Sequence, residues 1–98
     1  MLFAILCTDK PASLDLRMET RPPHVEYLKS LGATLRLAGP FLGADEKPCG
    51  SMLIVDAKDS DAAKAIAAGD PYAEAGLFET TEIRRWNWTF GNPDASAV

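Results

Sequence analysis

Apolar positions recur along this chain at two spacings, and the switch between them marks out the elements. Residues 2–7 form an unbroken apolar run of strand length, the pattern of a strand covered on both faces. A polar loop with Pro11 follows, and from Leu14 the spacing turns helical. Pro22 and Pro23 interrupt that stretch, because each removes a backbone donor and restricts the residue before it. Two versions stay open: a kinked helix over residues 14–31, or a short turn and then a helix opening at Pro22. The tolerance of proline in a first helical turn favours the second. Gly32 closes the helix as a left-handed cap.

Residues 34–38 read as a half-buried strand stopped by Gly39-Pro40, and residues 41–50, with glycines, a proline and charges, as a long hairpin connection. Residues 51–56 are a second nearly continuous apolar strand. Residues 59–68 are alanine-rich with helical spacing, and Asp59 or Ser60 suits the N-cap. Asp70-Pro71 opens a further short turn. Residues 78–90 read as the last strand, with Trp86, Trp88 and Phe90 alternating onto one face. Residues 91–98 are a small polar tail, expected to fray.

The order is strand, helix, strand, strand, helix, strand. Right-handed crossovers fold it into an α+β, ferredoxin-like βαββαβ domain, an antiparallel sheet with two helices on one face. The expected division is a single domain over residues 1–90 and a short C-terminal tail over 91–98. The helices leave one sheet face bare, yet two strands are apolar on both sides. The expected cover is a second copy, a homodimer through the sheet face.

Composition narrows the partners. Ninety-eight residues make one domain whose core is thin, so extra burial at an interface matters. The formal net charge is -4 and the ten basic residues form no cluster beyond Arg84-Arg85, so a nucleic-acid partner is not expected. No segment reaches the ~20 apolar residues of a membrane span, and the apolar start lacks the basic flank of a signal peptide. Cys7 and Cys49 have no metal-ligand spacing and make no disulfide framework; Cys7 reads as a core residue and Cys49 as a loop residue. The expectation is a cytoplasmic, reduced protein.

Candidate chemistry centres on the single histidine. From His24, the positions at i+3, i+4 and i+7 are Tyr27, Leu28 and Leu31, the apolar stripe of the helix, so the imidazole points inward. It is either a core residue bonded to a carbonyl or a general base in a cleft. Arg17 and Arg21 share that face only if the helix is continuous; they would then form a cationic cluster for an anionic ligand. Otherwise they pair with Asp15 and Glu19 on the surface. Asp70 ahead of Pro71 is a helix cap in its own right, and a carboxylate there can also orient an imidazole. Topology argues against that meeting, because the first helix begins and the second ends at opposite ends of the sheet. Gly39-Pro40 and Gly50 serve the turn, or a mobile rim over a ligand. With one histidine and no metal-ligand spacing, a metal site is not expected, and no phosphate loop or serine elbow is present.

Three segments together carry a resemblance. Arg21-Pro22-Pro23-His24-Val25-Glu26-Tyr27-Leu28, then Gly39-Pro40 with Gly50, then Asp70-Pro71-Tyr72 leading to Gly76-Leu77-Phe78 and Trp86, resemble the R-P-x-H-x-x-Y-L, G-P…G and D-P-Y…G-L-F segments of the YciI-like (YCII-related) family. Pro23 departs from the commoner pattern but keeps the histidine spacing. The resemblance implies a dimeric α/β barrel and a His24–Asp70 active-site pair; Arg17, Arg21, Gly39, Pro40 and Tyr72 are the expected substrate contacts beside it. It also implies no cofactor and a small-molecule ligand of aromatic or lactone type. Some members are described as dehydrochlorinases of chlorinated hydroxyhydroquinones. The leading reading is a cofactor-independent lyase or isomerase with His24 as base. The alternative is a non-catalytic dimer module that holds a small metabolite.

Overall fold

A computed structural model describes residues 1–94. Strand β1 (Leu2–Asp9) is followed by α1 (Leu14–Ser30), a 3-10 turn (Gly32–Thr34), β2 (Leu35–Leu42) and β3 (Pro48–Asp56). Then come α2 (Ser60–Gly69), a one-turn α3 (Pro71–Glu74) and β4 (Phe78–Arg85). The sheet order is β2-β3-β1-β4 with every neighbouring pair antiparallel, the ferredoxin-like arrangement. The tail expected over 91–98 lies partly outside the described residues.

Alternation along β1 sends Phe3, Ile5 and Cys7 into the core beside Leu53 and Val55 of β3, where Ala57 and Ala63 complete the cluster. The other face of β1 and β3 carries Leu6 opposite Met52 and Ala4 opposite Ile54. Both faces are apolar, as the unbroken runs imply. Asp59 caps α2 through its carboxylate, which accepts from the Ala62 N–H at 2.8 Å.

Several boundaries differ from the sequence reading, each for a physical reason. Helix α1 runs unbroken through both prolines instead of opening at Pro22. The carbonyls that lose their donors belong to Met18 and Glu19, which are exposed, so water can satisfy them. Strand β2 passes through Gly39-Pro40 to Leu42, because it lies at the sheet edge, where a proline can leave out a donor. The hairpin connection is accordingly shorter, and Cys49 belongs to β3. Strand β4 ends at Arg85, so the tryptophans lie beyond it. Trp86 and Trp88 instead touch each other at 5.4 Å, and Arg36 of β2 lies over the Trp88 ring and pairs with Asp94. Gly32 does adopt the left-handed φ of +56°. Gly50 has no room for a side chain, since a Cβ there would run into the Cys7 carbonyl.

Burial pushes the Cys7 thiol up from an ordinary 9.0 to about 11. The unfolded chain gives up this proton first, so stability holds below pH 9 and falls as pH rises toward 11, by up to about 1.4 kcal/mol per pH unit. Urea unfolding at pH 8, 9.5 and 10.5 should show that loss, and Cys7→Ala should flatten it. At pH 8 iodoacetamide should label exposed Cys49 and spare Cys7 until the protein is denatured.

Candidate functional site

The most buried side chains of α1 are polar, with half-buried Val25 and Leu28 beside them. Arg17 and His24 are its buried residues, and Arg21 stands between them, so the continuous helix aligns all three at steps of four and three. Over that part of the helix, polar groups replace the apolar packing that Leu28 supplies further along. A cavity of about 400 Å³ opens between α1 and the β2–β3 hairpin. Arg17, Arg21, His24, Ser51 and Tyr72 supply its polar wall. Val25, Leu28 and Leu53 supply apolar wall, and Gly39 and Pro40 form part of its rim on β2.

Arg17 does not pair at the surface with Asp15 or Glu19. Its Nε donates to Asp9 Oδ2 at 3.0 Å, and its Nη2 donates to Ser51 Oγ at 2.6 Å and to the Gly50 carbonyl. Both members of the Arg17–Asp9 pair are buried, with side chains 4% and 6% exposed. Burial raises the Asp9 carboxyl above its ordinary value against the opposing pull of Arg17, and Asp9 Oδ1 has no hydrogen-bond partner. The sequence reading missed Asp9 and Ser51. Asp9 was within reach of it: the alternation Phe3, Ile5, Cys7 carries one step further to residue 9.

Tyr72 joins the two halves of the site. Its ring stacks on the His24 imidazole with centroids 3.8 Å apart and planes 15° apart, and the Arg17 guanidinium lies 4.7 Å from its centroid. Burial raises the phenol above its ordinary value, while Arg17 and Arg21 pull it down.

His24 and Asp70 do meet. His24 Nδ1 lies 2.8 Å from Asp70 Oδ1, and the same oxygen accepts the Tyr72 N–H at 2.9 Å. A carboxylate can only accept, so Nδ1 carries the proton. Nε2 is then the basic nitrogen, and it has no protein partner among the described residues. The topological objection fails on two counts. His24 lies past the midpoint of a long helix, and the chain turns at Asp70, which ends α2 and caps α3. Asp70 therefore serves as both cap and imidazole partner. Among the described residues no three His, Cys, Asp or Glu side chains gather as a metal-binding group. No helix there is long and apolar enough to cross a membrane.

Comparison with known proteins places this geometry in context. A family model described as the YCII-related domain matches residues 1–87. Protein YciI of Escherichia coli is 34% identical, covering 92% of this chain and 100% of the relative. An uncharacterized protein of Haemophilus influenzae is 36% identical with the same coverage. Among solved structures, 5-chloro-2-hydroxyhydroquinone dehydrochlorinase from Burkholderia phenoliruptrix, in complex with 2,5-dihydroxybenzoquinone, superposes with a TM-score of 0.83 at 38% identity, over 89% of this chain and 94% of that one. An antibiotic biosynthesis monooxygenase, at 16% identity and TM-score 0.53 over 89% of this chain and 99% of that one, shares the fold alone.

Removing one partner of a buried ion pair strands the other. Arg17→Met should cost about 3–5 kcal/mol in denaturant unfolding, and Arg17→Met with Asp9→Leu should recover most of that loss. A single variant costing under about 1 kcal/mol, or no recovery in the double, contradicts this account of the pair.

Proposed function

The chain belongs to the YCII-related family, and from that premise we propose that it is a cofactor-independent lyase or isomerase acting on a small, acidic aromatic or lactone substrate. The observation that carries the reading is the His24–Asp70 hydrogen bond in the wall of a cavity that also holds two guanidinium groups. Asp70 fixes the imidazole with Nδ1 protonated, which leaves Nε2 to take a proton from bound substrate. Removal of that proton places negative charge on substrate oxygen. Arg17, already held in place by Asp9 and Ser51, and Arg21 beside it stabilise that charge. The apolar walls from Val25, Leu28 and Leu53 suit the flat face of a six-membered ring.

The structural relative suggests a reaction. From a chlorinated hydroxyhydroquinone, His24 removes a hydroxyl proton and the carbon bearing chlorine gains one as the ring ketonises. Chloride then leaves with the C–Cl bonding pair as a second hydroxyl proton is lost, giving a hydroxyquinone. The net loss is HCl. The two electrons the ring gives up leave with chlorine, so no external oxidant is consumed. A general base contributes about 10²–10⁴-fold, which suffices for a ring already this activated.

The proposed assembly is a homodimer. The sheet face away from the helices presents half-buried Leu6, Met52 and Leu37 and exposed Phe41, an apolar surface that a second copy would cover. Leu6→Glu should yield a folded monomer by sedimentation equilibrium, where the native chain sediments as a dimer. A native chain that stays monomeric at tens of micromolar removes that part of the proposal.

Chloride release from 5-chloro-2-hydroxyhydroquinone tests the chemistry. His24→Gln should lower the rate about 10²–10⁴-fold while the melting profile stays cooperative. The reading falls if neither this compound nor a muconolactone turns over faster than in buffer, or if His24→Gln retains turnover.

A further inference from the structure

A second contact between α1 and the segment carrying Asp70 lies one helical turn beyond the histidine. Tyr27, at i+3 from His24, donates its hydroxyl to the Ile66 carbonyl at 2.7 Å. Ile66 belongs to the last turn of α2, whose carbonyls have no amide to receive within the helix. The Asp70 N–H bonds instead to Ala67, so Tyr27 fills the vacancy at Ile66. The ring also crosses the last residue of α2, Gly69. A Cβ on Gly69 would sit 2.7 Å from the Tyr27 hydroxyl oxygen and 3.2 Å from Cζ, closer than a rigid phenol can accept. Gly69 has no positive φ to account for it, so close approach of the tyrosine is what its missing side chain permits.

The consequence is geometric. Asp70 is the next residue after Gly69 and forms the joint between α2 and α3. Two hydrogen bonds therefore tie the same stripe of α1 to the same five-residue stretch, His24 to Asp70 and Tyr27 to Ile66. Burial, together with the nearby Asp70 and Glu74 carboxylates, raises the Tyr27 phenol, which keeps it protonated as a donor. The Tyr27 bond adds a second restraint on the direction of the joint to the one the His24 bond supplies.

We propose that Tyr27 and Gly69 form a positioning pair that sets the His24–Asp70 hydrogen bond, without either residue touching substrate. The inference rests on the dyad reading for its effect on rate, but not for its effect on the imidazole. His24 is the chain's one histidine, so its ring nitrogens can be read without assignment by ¹⁵N NMR. The native protein should show the Nδ1–H tautomer and an exchange-protected downfield proton. Gly69→Ala should move the ring toward the Nε2–H tautomer, lose that proton, and lower kcat on 5-chloro-2-hydroxyhydroquinone by on the order of 10²-fold, with KM changed less than about threefold. Adding Tyr27→Phe to Gly69→Ala removes the closest clash and should restore part of both signals. Tyr27→Phe alone, which keeps the ring and loses the bond, should lower kcat by roughly tenfold and weaken the downfield proton, and it decides the matter if Gly69→Ala does not fold.

A folded Gly69→Ala with its tautomer and kcat unchanged overturns the proposal, as does Tyr27→Phe indistinguishable from native. His24→Gln separates the two ideas. Turnover retained in that variant ends the dyad reading, while the tautomer shift in Gly69→Ala still reports whether the pair positions the ring.

Discussion

The structure depends on a helix whose most buried side chains are polar. Arg17 and His24 are the buried residues of α1, so hydrogen bonds anchor the helix alongside the packing of Leu28 on the core. Each polar group must then find a fixed partner or bear an unmet desolvation cost. Asp9, Ser51 and the Gly50 carbonyl answer Arg17, and Asp70 answers His24. The cavity between α1 and the hairpin is the space that such an arrangement cannot fill.

Asp70 shows how one residue satisfies two demands at once. The turn between α2 and α3 needs a cap, and a short carboxylate ahead of a proline is well suited to it. Because the capping oxygen is buried against α1, it can accept from the imidazole as well. Stability and site geometry are thus written into the same atom. Tyr72, the residue whose N–H is capped, has its ring clamped between His24 and Arg17, which links the dyad to the cationic side of the cavity.

Much of the fold was legible because the apolar runs at residues 2–7 and 51–56 are of strand length and bounded by polar residues, which favours covered strands over buried helix. The edges were less so. Gly39-Pro40 looks like a stop in sequence, but an edge strand tolerates it, and edge position is a property of topology rather than of local composition. The same holds for Pro22-Pro23, whose cost depends on which way the freed carbonyls face. Within the site, the inward stripe of His24 was readable from spacing, and the motif resemblance singled out Asp70. Their separation was not readable, since it depends on the turn at residue 70. Asp9 was overlooked because a carboxylate ending an apolar run looks like the start of a loop, although the strand's alternation brings it inward to meet Arg17.

The gap beneath α1 gives an occupant an unusual structural standing. A flat molecule lodged there would touch Val25 and Leu28 of the helix on one side and Leu53 of the sheet on the other, filling the apolar gap between them. Such a guest works as a removable piece of the interior. Helix anchoring and occupancy then become linked quantities, each strengthening the other in proportion to the logarithm of guest concentration over its dissociation constant.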